Sequence, residues 1–181
     1  CHCGAVKCET DLDPMTVGKC NCGRCGRLNG TFAVGAFYSE DEISIEGDTS
    51  IYNFTGGSGM LVSSHFWDKC GCRVYGKADS FPGMVTITLG AFDNPHSFKP
   101  RGEIYTNYKL DWVKDDGCIE ERFEEAVVEE RLMFLLTSLE DRCDHKQPVT
   151  NFSLHIRRIV CMALPRDEKR NSSKSPKRVK Q

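Results

Sequence analysis

The chain has 181 residues, a formal net charge of −2 and an apolar fraction of 39%. That length suits one domain with an appendage, and the near-neutral charge makes no global electrostatic case for nucleic-acid binding. No apolar run approaches the roughly 18 residues that a membrane-crossing helix requires.

Residues 1 to about 112 read as an all-β unit. Short apolar or β-branched runs recur at 31–38, 43–45, 51–54, 61–66, 73–75, 85–89 and 103–108, separated by Gly, Asp and Ser. Gly56-Gly57-Ser58-Gly59 reads as a flexible turn between two strands, and Pro82-Gly83 and Pro95 mark others. From Ile119 the character changes. Ile119, Phe123 and Val127, then Val128, Leu132, Leu135 and Leu139, recur at helical spacing and predict one amphipathic helix over 119–140. Residues 166–181 are basic and contain Ser172, Ser173, Ser175 and Pro176, the composition of a disordered tail. The chain thus divides into a β domain (1–125), an acidic, amphipathic helical extension (126–165) and a basic tail (166–181). It starts at Cys1, not Met, so the reading expects a longer gene product or processing, with no visible signal peptide.

The eleven cysteines are the anomaly. Seven fall in tight clusters: Cys1 and Cys3; Cys20, Cys22 and Cys25; Cys70 and Cys72. Cysteines so close in sequence rarely bridge each other, because the ring is strained. They converge readily on one metal ion, which implies a reducing compartment and a cytoplasmic location. The basic tail resembles a nuclear signal only loosely.

In Cys20-Asn21-Cys22-Gly23-Arg24-Cys25, three thiols lie within six residues, and Gly23 lets the backbone wrap closely. Zinc takes thiolates in a tetrahedral arrangement, so three ligands from one loop leave a fourth position for water or a substrate thiol. A fourth cysteine from elsewhere would close the site instead. Arg24 is placed to lower a thiolate pKa or to hold an anionic ligand. Cys1-His2-Cys3 and Cys70-Gly71-Cys72 together suit a structural zinc clamp between distant segments. Cys8 reads as a buried strand residue, and His65 and His96 as polar strand or loop residues.

These motifs resemble the glutathione-dependent formaldehyde-activating enzyme family, which also includes centromere protein V. Cys1-His2-Cys3-Gly4-Ala5-Val6 is similar to the family's opening motif, and Cys20–Cys25 to its Cys-x-Cys-x-x-Cys loop. Phe66 followed by Cys70-Gly71 is similar to its third motif. Asp93-Asn94-Pro95, Phe98-Lys99-Pro100 and Glu103-Ile104 resemble its downstream strand. The resemblance covers about residues 1–125. It implies a mainly β fold, a β-tent of short antiparallel strands, holding two zinc ions. It implies a structural zinc on Cys1, Cys3 and Cys70, and a catalytic zinc on Cys20, Cys22 and Cys25. The activity it implies is carbon–sulfur lyase chemistry, joining formaldehyde to the sulfur of glutathione. The expected partners are therefore a small thiol and an aldehyde. Trp67 stands where the family's third motif carries a further cysteine, which removes a structural ligand, and Cys72 is the expected replacement, with His2, His65 and Asp68 as the alternatives.

Two other readings remain. A non-catalytic zinc module would use the acidic helix and basic tail as partner surfaces. A thiol redox protein would use Cys22-Gly23-Arg24-Cys25, but such pairs open a helix in an α/β setting, whereas this region reads as all-β.

Overall fold

The computed structural model describes residues 1–127 and Arg131. These residues form β1 (Lys7–Glu9), β2 (Thr16–Cys20), α1 (Gly23–Asn29), β3 (Ala33–Ser39), β4 (Ser44–Glu46), β5 (Ser50–Thr55), β6 (Leu61–Phe66), β7 (Arg73–Ala78), β8 (Met84–Thr88), β9 (Gly102–Ile104) and β10 (Glu121–Arg122). Eight strands make one sheet in the order β10-β9-β2-β3-β8-β7-β6-β5, and β1 pairs with β4 in a second, two-stranded sheet. Within the large sheet β9 runs parallel to both β2 and β10, and the remaining pairs are antiparallel. The fold is mainly β, as expected.

Alternation along the strands separates two faces. Val17 on β2, Ala36 and Tyr38 on β3, and Val85 and Ile87 on β8 are buried in the core. The small sheet covers this side, with Val6, Cys8, Ile43 and Ile45 packed into the same cluster. The opposite face carries the intervening residues. On it Gly102, Gly18 and Gly35 stand side by side across β9, β2 and β3, in register. A Cβ at Gly35 would lie 2.4 Å from Thr86 Cγ2, and one at Gly18 would lie 3.3 Å from the Phe37 ring. Side chains of the neighbouring strands thus pack directly against the bare backbone of this row, where a Cβ would meet them.

A β-bulge sets the position of Arg73. His65 pairs with Tyr75 and Phe66 pairs with Arg73, so Val74 is the extra residue on β7. Val74 and Tyr75 are both buried in the core. The interrupted alternation turns Arg73 to the glycine face, where its Nη2 would lie 3.0 Å from a Cβ at Gly76.

The predicted strands at 31–38, 43–45, 51–54, 61–66, 73–75 and 85–89 coincide with β3 to β8, with ends shifted by up to three residues. Residues 56–59 form the expected β5–β6 turn, closed by the Gly56 amide donating to the Met60 carbonyl at 2.7 Å. Three differences are physical. First, β2 and α1 have no entry in the periodicity, because β2 is five residues long with a central glycine and α1 holds glycine at Gly23 and Gly26. Second, the strand at 103–108 ends at Ile104. Tyr105 adopts left-handed φ 57°, and a single 3-10 turn spans Thr106–Tyr108. Third, the helix predicted over 119–140 does not begin at Ile119. Ile119 is buried, and β10 pairs with β9 through Glu121 and Gly102. Pairing to an exposed strand edge overrides the local helical spacing there. Residues 120–127 are not helical either; apart from Arg131, the remainder of that prediction, the basic tail, Cys143 and Cys161 lie outside the described residues.

Candidate metal centre and adjoining cleft

Cys20 ends β2, Cys22 is the N-cap of α1 and Cys25 lies in its first turn. The strand-to-helix turn brings the three Sγ atoms within 4.8 Å of one another, all half-buried. The Cys25 amide donates to Cys22 Sγ at 3.5 Å, so the thiol does the work that a Ser or Asp does at other N-caps. The helix then closes with Gly30, at φ 99°, donating to the Gly26 carbonyl at 2.8 Å.

Crowding of three thiols separates their acidities. The hydrogen bond from Cys20 brings the Cys25 thiol down to about 6, against the opposing effect of burial, with help from Cys22, Arg73 and Arg24. The same bond, together with burial and the Cys25 charge, pushes Cys20 far up. One thiolate thus forms readily while its neighbour stays protonated, until a cation arrives to neutralise both.

Two groups outside the sequence reading complete the surroundings. Arg73 Nε donates to Ser64 Oγ at 2.9 Å and its Nη1 to Asn29 Oδ1 at 3.3 Å, which ties β7 to the end of α1. Burial lowers the Arg73 guanidinium, and the Cys25 and Cys20 charges pull it back up. Tyr105 is raised first by burial and then by the Cys20 and Cys22 charges. No local motif marks either residue. The bulge that turns Arg73 appears only once β6 and β7 are paired. Arg24, expected near the site, is exposed and lies over the Phe54 ring, 5.5 Å from its centroid.

Asn21, between two of the thiols, is buried. Its Nδ2 donates to Glu103 Oε1 at 3.1 Å and to the Ile104 carbonyl at 3.2 Å. Glu103 has no exposed side-chain surface and also faces Lys19 Nζ at 3.2 Å, Lys109 at 3.6 Å and Arg122 at 3.5 Å. Burial pushes its carboxyl up, but the bonds from Asn21 and Lys19 bring it below its ordinary value.

A second thiol group gathers Cys1, Cys3 and Cys70 within 4.8 Å. Cys1 and Cys3 sulfurs are 3.7 Å apart, and the Val6 amide donates to Cys1 Sγ at 3.2 Å. Hydrogen bonding from the Cys72 backbone, then the Cys3 and His2 backbones, lowers the Cys70 thiol. Cys72 itself lies outside the group. Its Sγ faces the Arg73 carbonyl at 3.7 Å, so its backbone, not its thiol, supports the cluster. Trp67 packs against the core, and its amide donates to the Cys72 carbonyl at 3.0 Å. His2 and Asp68 are exposed, and Asp68 pairs with Lys69 at 3.5 Å. Cys8 sits half-buried against the core, and His65 stacks on Tyr75 with ring centroids 4.1 Å apart.

Both groups suit a thiophilic cation by donor chemistry: thiols only, half-buried or at a loop, with backbone amides already directed at sulfur. The Cys20–Cys25 group also borders a cleft of about 270 Å³ on the glycine face, with Cys20, Cys25 and Arg73 at one end and Phe81 and Met84 at the other.

A family model described as glutathione-dependent formaldehyde-activating enzyme matches residues 1–108. A search of curated proteins finds no match to the chain. Among solved structures, a Rhodobacter sphaeroides protein is 19% identical with a TM-score of 0.43, over 68% of this chain and 95% of that one.

Proposed function

Because this chain belongs to the glutathione-dependent formaldehyde-activating enzyme family, we propose that it is a zinc-dependent carbon–sulfur lyase joining an aldehyde to the thiol of glutathione. The observation that carries the reading is the half-buried group of Cys20, Cys22 and Cys25 at the end of a cleft. Among the described residues no fourth His, Cys, Asp or Glu joins that group. Three ligands with an open position suit catalysis, and four suit a structural site or a non-catalytic module.

When bound there, zinc supplies Lewis acidity, which makes a thiol more acidic and a carbonyl carbon more electrophilic. The chain's own residues do the rest. Asn21, anchored on Glu103, holds the turn between Cys20 and Cys22. Arg73 offsets negative charge behind Cys25. Arg24 and Arg27, both exposed on α1, are available to the carboxylates of glutathione at the mouth. Tyr105, held protonated, is a hydrogen-bond donor in electrostatic reach of the thiols. In the overall addition the carbon–sulfur bond forms, the carbonyl π bond breaks, and the thiol proton ends on oxygen. Because the spontaneous addition is already easy, positioning and exclusion of water carry most of the acceleration. Cys1, Cys3 and Cys70 would hold a second, structural zinc that ties the N-terminus to the β6–β7 connection.

The test is metal content per chain, together with the enzyme-dependent rate of S-hydroxymethylglutathione formation above the spontaneous rate. Two zinc ions in the wild type, one in Cys22→Ser, and loss of the rate in that variant support the reading. A wild-type protein that binds zinc at Cys22 without accelerating the addition of any aldehyde overturns it in favour of a zinc-binding interaction module.

A further inference from the structure

The cleft beside Cys20 and Cys25 is larger and less polar than formaldehyde needs. Its middle is floored by Gly18 and Gly35, and its walls carry Phe37, Val62, Phe81 and Met84. The cations on its border already have partners. Lys19 Nζ lies 2.9 Å from Asp116 and 3.2 Å from Glu103, and Lys77 Nζ lies 2.8 Å from Glu40. Arg73 is engaged by Ser64 and Asn29. A charged tripeptide gains little from such an interior, so its charged ends belong at the mouth near α1. An apolar group gains a great deal, because water in an apolar cavity lacks partners. An apolar cavity of about 150 Å³ accommodates benzene. By proportion, 270 Å³ accommodates about ten carbon atoms.

The glycine row lines this space. Three adjacent strands expose backbone at the same level, where β-branched residues would be expected on grounds of strand propensity. The Thr86 methyl packs where a Cβ at Gly35 would stand, so bare backbone flanked by the Thr86 and Phe37 side chains lines the cleft there.

We propose that this cleft holds the apolar substituent of the aldehyde, making the preferred substrate an aliphatic or aromatic aldehyde of about eight to ten carbons instead of formaldehyde. The inference rests on the thiol–aldehyde reading above and names the substrate class for that same site. The reaction is the same addition: the thiol sulfur bonds to the aldehyde carbon, the C=O π bond breaks, and the thiol proton ends on oxygen. No further reactant is needed.

The experiment uses the full zinc-loaded chain with glutathione and a series of formaldehyde, butanal, octanal and benzaldehyde, read as kcat/KM above the spontaneous rate. In parallel, unreactive 1-octanol is titrated calorimetrically and by backbone amide shifts. Expected are a rise of about fourfold in kcat/KM per methylene buried, octanol binding with a negative heat-capacity change, and amide shifts at Gly18 and Gly35. Ala78→Leu, which narrows the cleft away from the thiols, should lower octanol affinity at least tenfold with zinc content unchanged. A kcat/KM that falls with chain length overturns the proposal while leaving the formaldehyde reading intact. Absence of octanol binding, as when another part of the chain fills the cleft, overturns it as well. No acceleration with any aldehyde overturns the thiol–aldehyde reading itself and the preference with it, even where octanol binds.

Discussion

Asn21 and Glu103, eighty-two positions apart, meet at 3.1 Å through the Asn21 amide and the Glu103 carboxylate. The bond crosses the parallel β2–β9 pair, in which Cys20 sits opposite Ile104 and Lys19 opposite Glu103. The three-thiol loop is thereby pinned to the sheet by its one residue between the first two thiols. The carboxylate that pins it is fully buried among Lys19, Lys109 and Arg122.

Glu103→Ala removes the shared anion and leaves Lys19, which is 2% exposed, with Asp116 and the face of the Phe32 ring. Losing one partner of a buried ion pair costs about 3–5 kcal/mol. Urea unfolding of the zinc-loaded protein should show that loss. Zinc should also leave the Cys20–Cys25 group faster in a chelator competition, because Asn21 loses its anchor. A loss under about 1 kcal/mol would mean that the network behaves as a surface ion pair.

The same carboxylate sets a pH dependence. Its folded pKa lies below the ordinary 4.5, so its contribution to stability is present above that value and is lost as pH falls through the lowered folded value. Wild-type stability should therefore fall across that acid range, and Glu103→Gln, which cannot titrate, should show a flatter profile there. Parallel curves for the two proteins would show that Glu103 does not carry the acid sensitivity.

Arg73→Lys tests the tie between β7 and α1. A lysine has one ammonium and cannot reach Ser64 and Asn29 with the spread that the guanidinium spans at 2.9 and 3.3 Å. The expected loss is about 1–3 kcal/mol in urea unfolding, together with faster zinc release. An unchanged release rate would show that α1 holds the thiols without Arg73.

Cysteine substitutions separate the two thiol groups. Cys70→Ser should remove one zinc per chain, and Cys72→Ser should not, since Cys72 supports the cluster through its backbone while its Sγ faces the Arg73 carbonyl. Atomic absorption on protein purified without added metal decides the matter. Loss of a zinc in Cys72→Ser would make that thiol a ligand after all.

Gly35→Ala should destabilise the sheet by roughly 1–3 kcal/mol, because the new Cβ meets Thr86 Cγ2. Thr86→Ser deletes that methyl. In a double-mutant cycle it should recover much of the loss, with a coupling above about 0.5 kcal/mol. Additive effects would mean that β3 shifts instead of clashing.

Local sequence determined much of this protein. The spacing of Cys20, Cys22 and Cys25 puts three thiols in one six-residue segment, which the strand-to-helix turn then gathers to within 4.8 Å. Short apolar runs between turn residues also determined six strands of the large and small sheets, since period-two burial is a local property. Only the tertiary structure decided what depends on pairing. Cys70 reaches Cys1 and Cys3 because β6 and β7 carry the intervening turn back to the N-terminus. Arg73 faces the thiols because a bulge, created by its pairing with Phe66, reverses its side. The residues after Ile119 leave helical spacing because the edge of β9 offers unpaired backbone groups that a strand satisfies and a helix does not. The cleft, too, exists only in register. Gly18, Gly35 and Gly102 are unremarkable in the chain, and they make a floor because three strands align them.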